Sequence, residues 1–140
     1  MKFLLDTNII SEIRKPNGNA NVKAFVKNIR NEDLYLSVIT IGEIASGIKK
    51  LGDQKKSVEL TIWLEKELMD WFEDRILSID MKTMLHWGEL QFRLRRTLPV
   101  MDSLIAASAL TNGLILVTRN TKDFIDYENL TVINPWNSSL

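Results

Sequence analysis

The sequence predicts an α/β fold: a mostly parallel sheet of about five strands with helices covering both faces. Short apolar runs alternate along the chain with segments of helical period, which is the order that a parallel sheet requires. The inner runs, such as 114–117, are apolar at every position, as in strands buried on both faces. The 140 residues contain no linker or internal repeat, so we expect one domain spanning 1–140.

The strands are predicted from short segments rich in Leu, Ile and Val. Each segment is bounded by polar or charged residues, as where Leu4 and Leu5 give way to Asp6. The predicted strands, in chain order, are 3–5, 34–38, 75–79, 114–117 and 131–133.

The helices are predicted where apolar residues keep a helical spacing between these strands. Turn signals bound them: Pro16-Asn17-Gly18 stops the first, Thr40 caps the third, and Asn112-Gly113 closes the last. The long excursion over 53–98, with one short strand inside it, predicts a helical hairpin clamped to one side of the sheet. The predicted helices, in chain order, are 7–13, 20–30, 40–51, 55–72, 80–97 and 102–110.

Composition excludes several classes of site. The chain has no cysteine and a single histidine, His86, so disulfides, thiolate nucleophiles and zinc–thiolate centres are excluded. The formal net charge is zero, so the total charge gives no sign of a nucleic-acid binder, although a balanced sum can hide separate charged faces. The first residues become charged too quickly for a signal peptide, and no apolar run could span a bilayer. We therefore expect a soluble cytoplasmic protein.

Four acids are predicted to meet at one edge of the sheet. Asp6 follows the first strand, Glu43 lies in the first turn of the helix after the second, Asp102 begins the helix that feeds the fourth, and Asp123 follows the fourth. Because helices run antiparallel to the strands in right-handed βαβ units, strand carboxyl ends and helix amino ends share one rim. Open α/β sheets bind their ligands in the crevice at that rim.

Each acid also has a purely structural interpretation. Asp6 could cap the helix that follows its strand, and Asp102 could cap or counter the dipole of its own helix. Glu43 stands three residues after Thr40, the spacing of a capping box. Asp123 has two neighbours that could share or replace its role, and these are Asn120 and Asp126.

Clustered carboxylates indicate a divalent cation. Like charges raise one another's pKa, and a bound ion relieves that repulsion. Magnesium and manganese prefer oxygen ligands. One or two such ions held by acids are typical of phosphodiester chemistry, in which the metal polarises the phosphate and activates water.

The chain resembles the PIN-domain ribonucleases, and within them the VapC- and FitB-like toxins of bacterial toxin–antitoxin pairs. The matching segments follow the family's order over nearly the whole chain, which is more specific than any one motif. They are 3–12 (FLLDTNIISE), 37–48 (SVITIGEIASGI), 99–107 (PVMDSLIAA), 117–124 (VTRNTKDF) and 134–136 (NPW).

This resemblance implies a three-layer α/β/α domain that cuts single-stranded RNA with Mg²⁺ or Mn²⁺, loops of structured RNAs such as tRNA or rRNA included. It implies Asp6, Glu43 and Asp102 as core acids and Asp123 as the usual fourth, with Asp6 and Asp102 holding the metal and the other two orienting water. It also implies polar residues that support metal, water or phosphate, at Thr7, Asn8, Ser103, Thr118 and Asn120.

The resemblance further implies partners. These are a second copy of the chain in a homodimer and a small antitoxin whose C-terminal segment covers the acidic groove, with operator DNA bound only through the antitoxin. Arg119 and Lys122 flank the acidic loop and are the candidate ligands of substrate phosphate. The helix over 55–72 is predicted to contribute to the dimer or to the antitoxin groove.

Rival functions fit the residues less well. A phosphatase of the haloacid dehalogenase type needs a second aspartate two residues after the first, where this chain has Asn8. A receiver-like phosphorylation switch needs paired acids near the first strand, and here the acids are spread along the chain. One alternative stays open: a catalytically weak PIN scaffold that serves as a binding subunit of a DNA-binding toxin–antitoxin complex.

Overall fold

A computed structural model describes residues 1–94 and 97–137. Its centre is one five-stranded sheet in which every neighbouring pair of strands is parallel, with the order β3-β2-β1-β4-β5. The strands are β1 (Phe3–Leu5), β2 (Leu34–Ser37), β3 (Ile76–Leu77), β4 (Ile115–Val117) and β5 (Val132–Ile133).

The strand register brings the carboxyl ends of the central strands to one level. Leu5 of β1 is the partner of Val117 in β4, and Ser37 of β2 is the partner of Leu77 in β3. The residues that directly follow β1, β2 and β4 therefore emerge side by side. The predicted functional rim is this edge of the sheet.

Helices fill the connections between the strands. They are α1 (Thr7–Arg14), α2 (Ala20–Lys27), α3 (Val38–Lys49), α4 (Gln54–Ile62), α5 (Met69–Phe72), α6 (Met81–Arg93) and α7 (Val100–Thr111). A π-helical segment, Trp63–Leu68, joins α4 to α5. The predicted C-cap after α7 is confirmed, because Gly113 adopts a φ of 65° that a glycine tolerates without strain.

Two core clusters lie on opposite faces of the sheet. Phe3 and Leu5 belong to one cluster and Leu4 to the other, because successive side chains of a strand point to opposite faces. The first cluster receives apolar residues from α1, α2, α3 and the α4–α5 region, and the second from α6 and α7. The three-layer α/β/α architecture follows from this division.

The helical hairpin predicted over 53–98 needs correction. Leu64, Leu68 and Phe72 pack in the first cluster, whereas Leu90 of α6 packs against the second. The two helical arms therefore cover opposite faces, because β3 extends the sheet between them. Sequence periodicity reports that a helix has an apolar side, but it does not report which face of a sheet that side covers.

Several boundaries also differ from their predictions. Helix α3 begins at Val38 rather than after Thr40, because the Ser37 hydroxyl accepts a hydrogen bond from the Ile39 amide and caps the helix there. The third strand shrinks to Ile76–Leu77, and α6 ends at Arg93. The end of the predicted helix over 80–97 includes residues 95 and 96, which lie outside the described residues. The part of the chain that the structure describes contains no helix long and apolar enough to cross a bilayer.

Candidate active site

Asp6 lies at the end of β1, buried between strand and helix. Its Oδ1 accepts a hydrogen bond from the Thr7 amide at 2.8 Å and caps α1. Its Oδ2 accepts one from the buried Thr118 hydroxyl, also at 2.8 Å. The structural interpretation of Asp6 as a helix cap is thus correct for one oxygen, while the second is held by the residue that follows β4.

Burial raises the pKa of Asp6 above its ordinary range. The hydrogen bonds from Thr118 and Thr7 act in the opposite direction and lower that pKa, whereas the charge of Asp123 raises it further. The carboxyl is held in one orientation by its donors and remains costly to ionise. A cation beside it would favour the ionised form.

Glu43 lies in the second turn of α3, not in the first as predicted, because α3 begins at Val38. It therefore forms no capping box with Thr40. Instead the Thr7 hydroxyl donates a hydrogen bond to Glu43 Oε1 at 2.5 Å. The Thr7 hydroxyl also lies 3.3 Å from Thr40 Oγ1. Residues after β1 and β2 are joined at the rim by these contacts.

Asp102 lies in the first turn of α7, whose N-cap is Pro99. Pro99, not Asp102, occupies the cap position, so the N-cap interpretation is wrong for Asp102. Burial raises the pKa of Asp102, and so do the charges of Asp123, Asp6 and Glu43. Each of the three other predicted acids thus acts electrostatically on this one carboxyl. The four acids, distant in the sequence, share one local field.

Asp123 lies in a 3₁₀ turn, Thr121–Phe124, that follows β4. Its side chain is exposed at the rim, yet its charge raises the pKa of both Asp6 and Asp102. Asn120 directly precedes this turn, and its backbone amide donates to Thr118 Oγ1 at 3.1 Å. Asp126 is not among the carboxylates that raise the pKa of Asp102. Asp123 therefore suits the fourth position better than Asp126 does.

A polar network connects α1 to the loop after β4. The Asn8 side chain donates to Thr118 Oγ1 at 3.2 Å and accepts from the Arg119 amide at 3.1 Å. Together with the Thr118–Asp6 bond, these contacts fix the floor of the site. Thr7, Asn8, Thr118 and Asn120 thus all contact an acid of the site or one another, and their supporting role stays a prediction.

Ser103 behaves differently from these supporting residues. Its buried hydroxyl donates to the Val100 carbonyl at 2.6 Å and accepts from Trp87 Nε1 at 2.8 Å. It is not among the residues that line the cleft. The structure therefore joins Ser103 to the packing of α6 against α7 and not to the acids.

Three of the four acids line a cleft of about 400 Å³, and Asp123 is not among its lining residues. The cleft is also lined by residues that were not predicted as site residues, among them Glu12, Lys15 and Trp136. A sequence signal for the first two exists: polar residues recur along one side of α1 at spacings of three and four. The lining residues are Asp6, Thr7, Asn8, Ser11, Glu12, Lys15, Glu43, Asp102, Arg119, Asn120 and Trp136.

Of the two predicted phosphate ligands, Arg119 lines the cleft and Lys122 does not. The Arg119 guanidinium carbon lies 4.9 Å from the centre of the Trp136 ring, the geometry of a cation–π contact. Lys122 is exposed in the turn beside Asp123. The role of Lys122 stays a prediction.

The donor set fits a hard divalent cation. All four predicted ligands are carboxylates. Burial and then repulsion from the other acids raise the pKa of Asp102, and a cation would relieve that repulsion. Within residues 1–94 and 97–137, no three acidic or histidine side chains converge as a ready cage for an ion. Magnesium does not need such a cage, because it keeps several waters and is commonly bound through one or two carboxylates.

Comparison with known proteins identifies relatives over almost the full chain. A family model, the PIN domain, matches residues 3–130. The plasmid stability protein StbB of Pseudomonas syringae pv. tomato is 39% identical, covering 96% of this chain and 98% of its own length. Toxin FitB of Neisseria gonorrhoeae is 34% identical, with 96% and 98% covered. The VapC ribonuclease Y4jK of Sinorhizobium fredii is 32% identical, with 96% and 97% covered.

Solved structures agree with these relatives. The crystal structure of FitAcB from Neisseria gonorrhoeae matches with a TM-score of 0.90 at 33% identity, covering 96% of this chain and 99% of that one. A structure of FitAB bound to an IR36 DNA fragment matches with a TM-score of 0.87 at 32% identity, covering 96% of each chain. The three-layer fold is thus shared with toxin–antitoxin proteins.

Proposed function

This chain belongs to the PIN-domain family, and from that premise we propose that it is a metal-dependent ribonuclease that cleaves single-stranded RNA. We propose further that it acts as the toxin of a toxin–antitoxin pair. Relatives named as a toxin and as a VapC ribonuclease support this function. Single-stranded loops of structured RNAs are included among the proposed substrates.

One observation carries the proposal. Asp6, Glu43 and Asp102 come from distant parts of the chain and line one cleft. Burial, and then the charges of the other predicted acids, raise the pKa of Asp102 there. A fold that maintains this repulsion at an open cleft retains acids for a use other than stability. Binding a divalent ion beside a phosphodiester is the chemistry that such a donor set supports best.

The acids and Arg119 have different roles in the proposed reaction. Asp6, oriented by Thr118 and Thr7, and Asp102 are the residues that would hold the ion. When bound, Mg²⁺ or Mn²⁺ supplies positive charge that polarises the phosphodiester and lowers the pKa of water. Glu43, fixed by the Thr7 hydroxyl, and Asp123 at the rim orient the attacking water. Arg119 binds phosphate from the wall of the cleft.

A cleavage assay on a labelled single-stranded RNA tests this function. The wild-type chain should cut the RNA with Mg²⁺ or Mn²⁺, lose activity in EDTA, and recover it when the metal is restored. A DNA of the same sequence and the Asp102→Asn variant are matched controls, and neither should give products. Cleavage that persists unchanged in EDTA would exclude the metal-dependent mechanism.

A second candidate function is that of a binding subunit in a DNA-binding complex. The similarity to FitAB bound to a DNA fragment favours it, and it is compatible with catalysis. Here operator DNA would be contacted only through the antitoxin. Wild-type chain that binds RNA but yields no fragments with either metal would favour the scaffold over the enzyme.

We also propose that the antitoxin lies in an apolar groove of about 490 Å³ beside the cleft. Trp63, Leu68 and Trp71 supply its apolar wall, and Arg14, Lys23 and Lys27 supply positive charge. A smaller cavity shares Trp63 and Arg14 with this apolar groove and shares Thr7 and Glu43 with the cleft. A single extended segment can therefore follow a continuous path from the groove to the acids.

This path specifies the chemistry of its occupant. The segment should carry apolar residues and acids where it meets the groove, and a basic residue where it reaches the carboxylates. A Trp71→Asp variant, co-expressed with the proposed antitoxin, should lose that partner while still cleaving RNA. Undiminished co-purification would argue against the groove as the antitoxin site.

A homodimer is the remaining partner proposal. Met81 and Leu85 of α6 and Val100 of α7 are exposed apolar side chains, 79%, 71% and 59% accessible. Met81 and Leu85 are four residues apart on α6 and therefore share one exposed apolar side of the helix. Such a side favours association with another surface. Light scattering with size-exclusion chromatography should give twice the 16.1 kDa chain mass, and a Leu85→Glu variant should give the single mass. A wild-type monomer at micromolar concentration would refute the dimer.

A further inference from the structure

Arg119 is a cation in an acidic cleft that makes no ion pair within the described residues. Its side chain lines the cleft with Asp6, Glu43 and Asp102. The ion pairs among the described residues involve other cations, namely Lys15, Arg30 and Arg93. An arginine beside carboxylates ordinarily pairs with one of them through its planar fork of donors. Something must therefore hold this guanidinium away from them.

Trp136 provides that hold. Its ring centre lies 4.9 Å from the guanidinium carbon of Arg119. The same ring is partly buried and packs against the first core cluster. The indole is thus a rigid platform with the core behind it and Arg119 over it, and it lines the cleft as well.

The backbone around this contact is fixed from both sides. Asn8 accepts a hydrogen bond from the Arg119 amide at 3.1 Å, and Asn134 donates to the Arg119 carbonyl at 3.5 Å. The Asn134 side chain also accepts from the Trp136 amide at 2.9 Å. The Asn134 side chain therefore bridges Arg119 and Trp136, and the contact is held in one geometry.

Glu12 is an acid of the cleft that lies within electrostatic reach of Arg119. The Asn19 amide donates to its carboxylate at 2.7 Å and is the largest cause of a pKa held below the ordinary range, to which the charges of Lys15 and Arg119 also contribute. Glu12 is thus an ionised acid on the same cleft. Without the indole, the Arg119 guanidinium would be free to turn towards Glu12 or towards the four predicted acids. Its donors would then be lost to a substrate.

We propose that Trp136 is a positioning residue that presents the Arg119 guanidinium to a phosphate of the RNA backbone, so that the 134–136 segment completes the cleft. This inference rests on the proposed ribonuclease function, which supplies the polyanion. In this proposal Trp136 acts through Arg119 and does not itself stack on a base. The guanidinium lies over the ring, and the ring packs against the first core cluster.

The test is a double-mutant cycle on RNA binding. The parent is the non-cleaving Asp102→Asn variant, and the probe is a fluorescein-labelled single-stranded RNA titrated at several salt concentrations. Arg119→Met should weaken binding about tenfold and reduce the slope of log K against log salt by about 0.7, the share of one phosphate contact. Trp136→Leu should reproduce both changes, and the double variant should add nothing further. Trp136→Phe, which keeps a ring, should retain most of the affinity.

Phe25→Leu is the matched control for a merely structural effect. Phe25 is another aromatic residue that packs against the first core cluster, but it lines neither the cleft nor the apolar groove. It should lower stability and leave the salt slope unchanged. Should Trp136→Leu fail to fold, Asn134→Ala loosens the contact without removing core volume, and a reduced slope is again expected.

Two outcomes overturn the inference. If Trp136→Leu or Asn134→Ala keeps the parent's salt slope, Trp136 does not position a phosphate ligand. If losses from Trp136→Leu and Arg119→Met simply add, the two residues act independently. A wild-type chain that cuts no RNA refutes the proposed function instead, so the two failures are distinguishable.

Discussion

The acidic cleft and the apolar groove are neighbours, yet they contribute to the fold in opposite senses. In the groove, Leu68 and Val26 are buried in the first core cluster, and such burial stabilises the folded chain. In the cleft, mutual repulsion and burial raise the pKa of Asp102, so its ionised form opposes folding. The stability of this domain therefore comes from the two faces of the sheet, whereas the proposed chemistry lies at the cleft, where the carboxylates repel one another.

The largest effect is expected from removing one acid of the cleft. Asp102→Asn keeps the shape of the side chain and removes its charge, so RNA cleavage should fall more than about a hundredfold, since even outer-shell partners of metal sites are worth 10–100-fold. Circular dichroism should show an intact fold. Initial rates on labelled RNA measure the loss.

Three further variants sharpen this prediction. Asp6→Asn should lose activity to a similar degree, because Asp6 lies at the same rim. Asp123→Asn and Asp126→Asn form a matched pair that decides the fourth position, and only the first should lose substantial activity. Equal losses from both would contradict the assignment to Asp123.

Substitutions in the groove should change the stability of the chain, whereas substitutions in the cleft should change its activity. Leu68 is 1% exposed, so Leu68→Ala should destabilise the chain by about 2–5 kcal/mol through lost burial and the cavity left behind. Urea unfolding followed by fluorescence measures this change. Below the unfolding temperature the variant should still cleave RNA. A loss of less than about 1 kcal/mol would contradict the account of the groove as core.

An intermediate effect is expected where the cleft is joined to the core. Thr118 is buried and donates to Asp6 Oδ2 at 2.8 Å. Thr118→Val should cost about 1–3 kcal/mol, because the carboxylate loses its donor. This hydroxyl lowers the pKa of Asp6, so its removal raises that pKa. The acid limb of the pH–rate profile should therefore move to higher pH, and Thr118→Ser should restore it. An unchanged limb would show that Asp6 does not titrate in the rate.

The smallest effect is a pH dependence of stability without metal. The pKa of Asp102 is raised above 3.8 by burial and by its neighbouring acids. The folded chain therefore favours the protonated carboxyl of Asp102. The stability that this form contributes is complete below the ordinary pKa and is lost as pH rises through the raised pKa. In EDTA, Asp102→Asn should gain stability over wild type between about pH 4 and about pH 7. The gain should stay below about 1 kcal/mol, because the group is partly exposed. Thermal melts at both pH values measure this gain, and an Asp102→Asn variant that is less stable than wild type would contradict the prediction.

Much of the fold followed from local patterns in the sequence. The apolar runs and helix signals predicted the sheet and the rim where Asp6, Glu43 and Asp102 meet. They missed the start of α3, because either Ser37 or Thr40 could cap that helix, and the choice depends on where β2 ends. They also placed α4–α5 and α6 in one hairpin, because helical periodicity does not report which face of the sheet an apolar side covers.

The site was predicted less completely than the fold. Acids stand out in a sequence because their placement after strands is unusual, whereas Trp136 and Glu12 reach the cleft only through the folding of the 134–136 segment and of α1 around it. Ser103 shows the reverse error. It stands beside Asp102 in the chain, but in a helix adjacent side chains point about 100° apart, and its hydroxyl faces Trp87.

The most direct test of the shared-cation account is an anomalous difference map from a crystal of the wild-type chain grown with Mn²⁺. We expect a peak between the carboxylates of Asp6 and Asp102, within coordination distance of both, and no peak at that place in Asp102→Asn crystals. Manganese bound elsewhere, or an empty cleft at saturating metal, would contradict the claim that these acids exist to hold an ion.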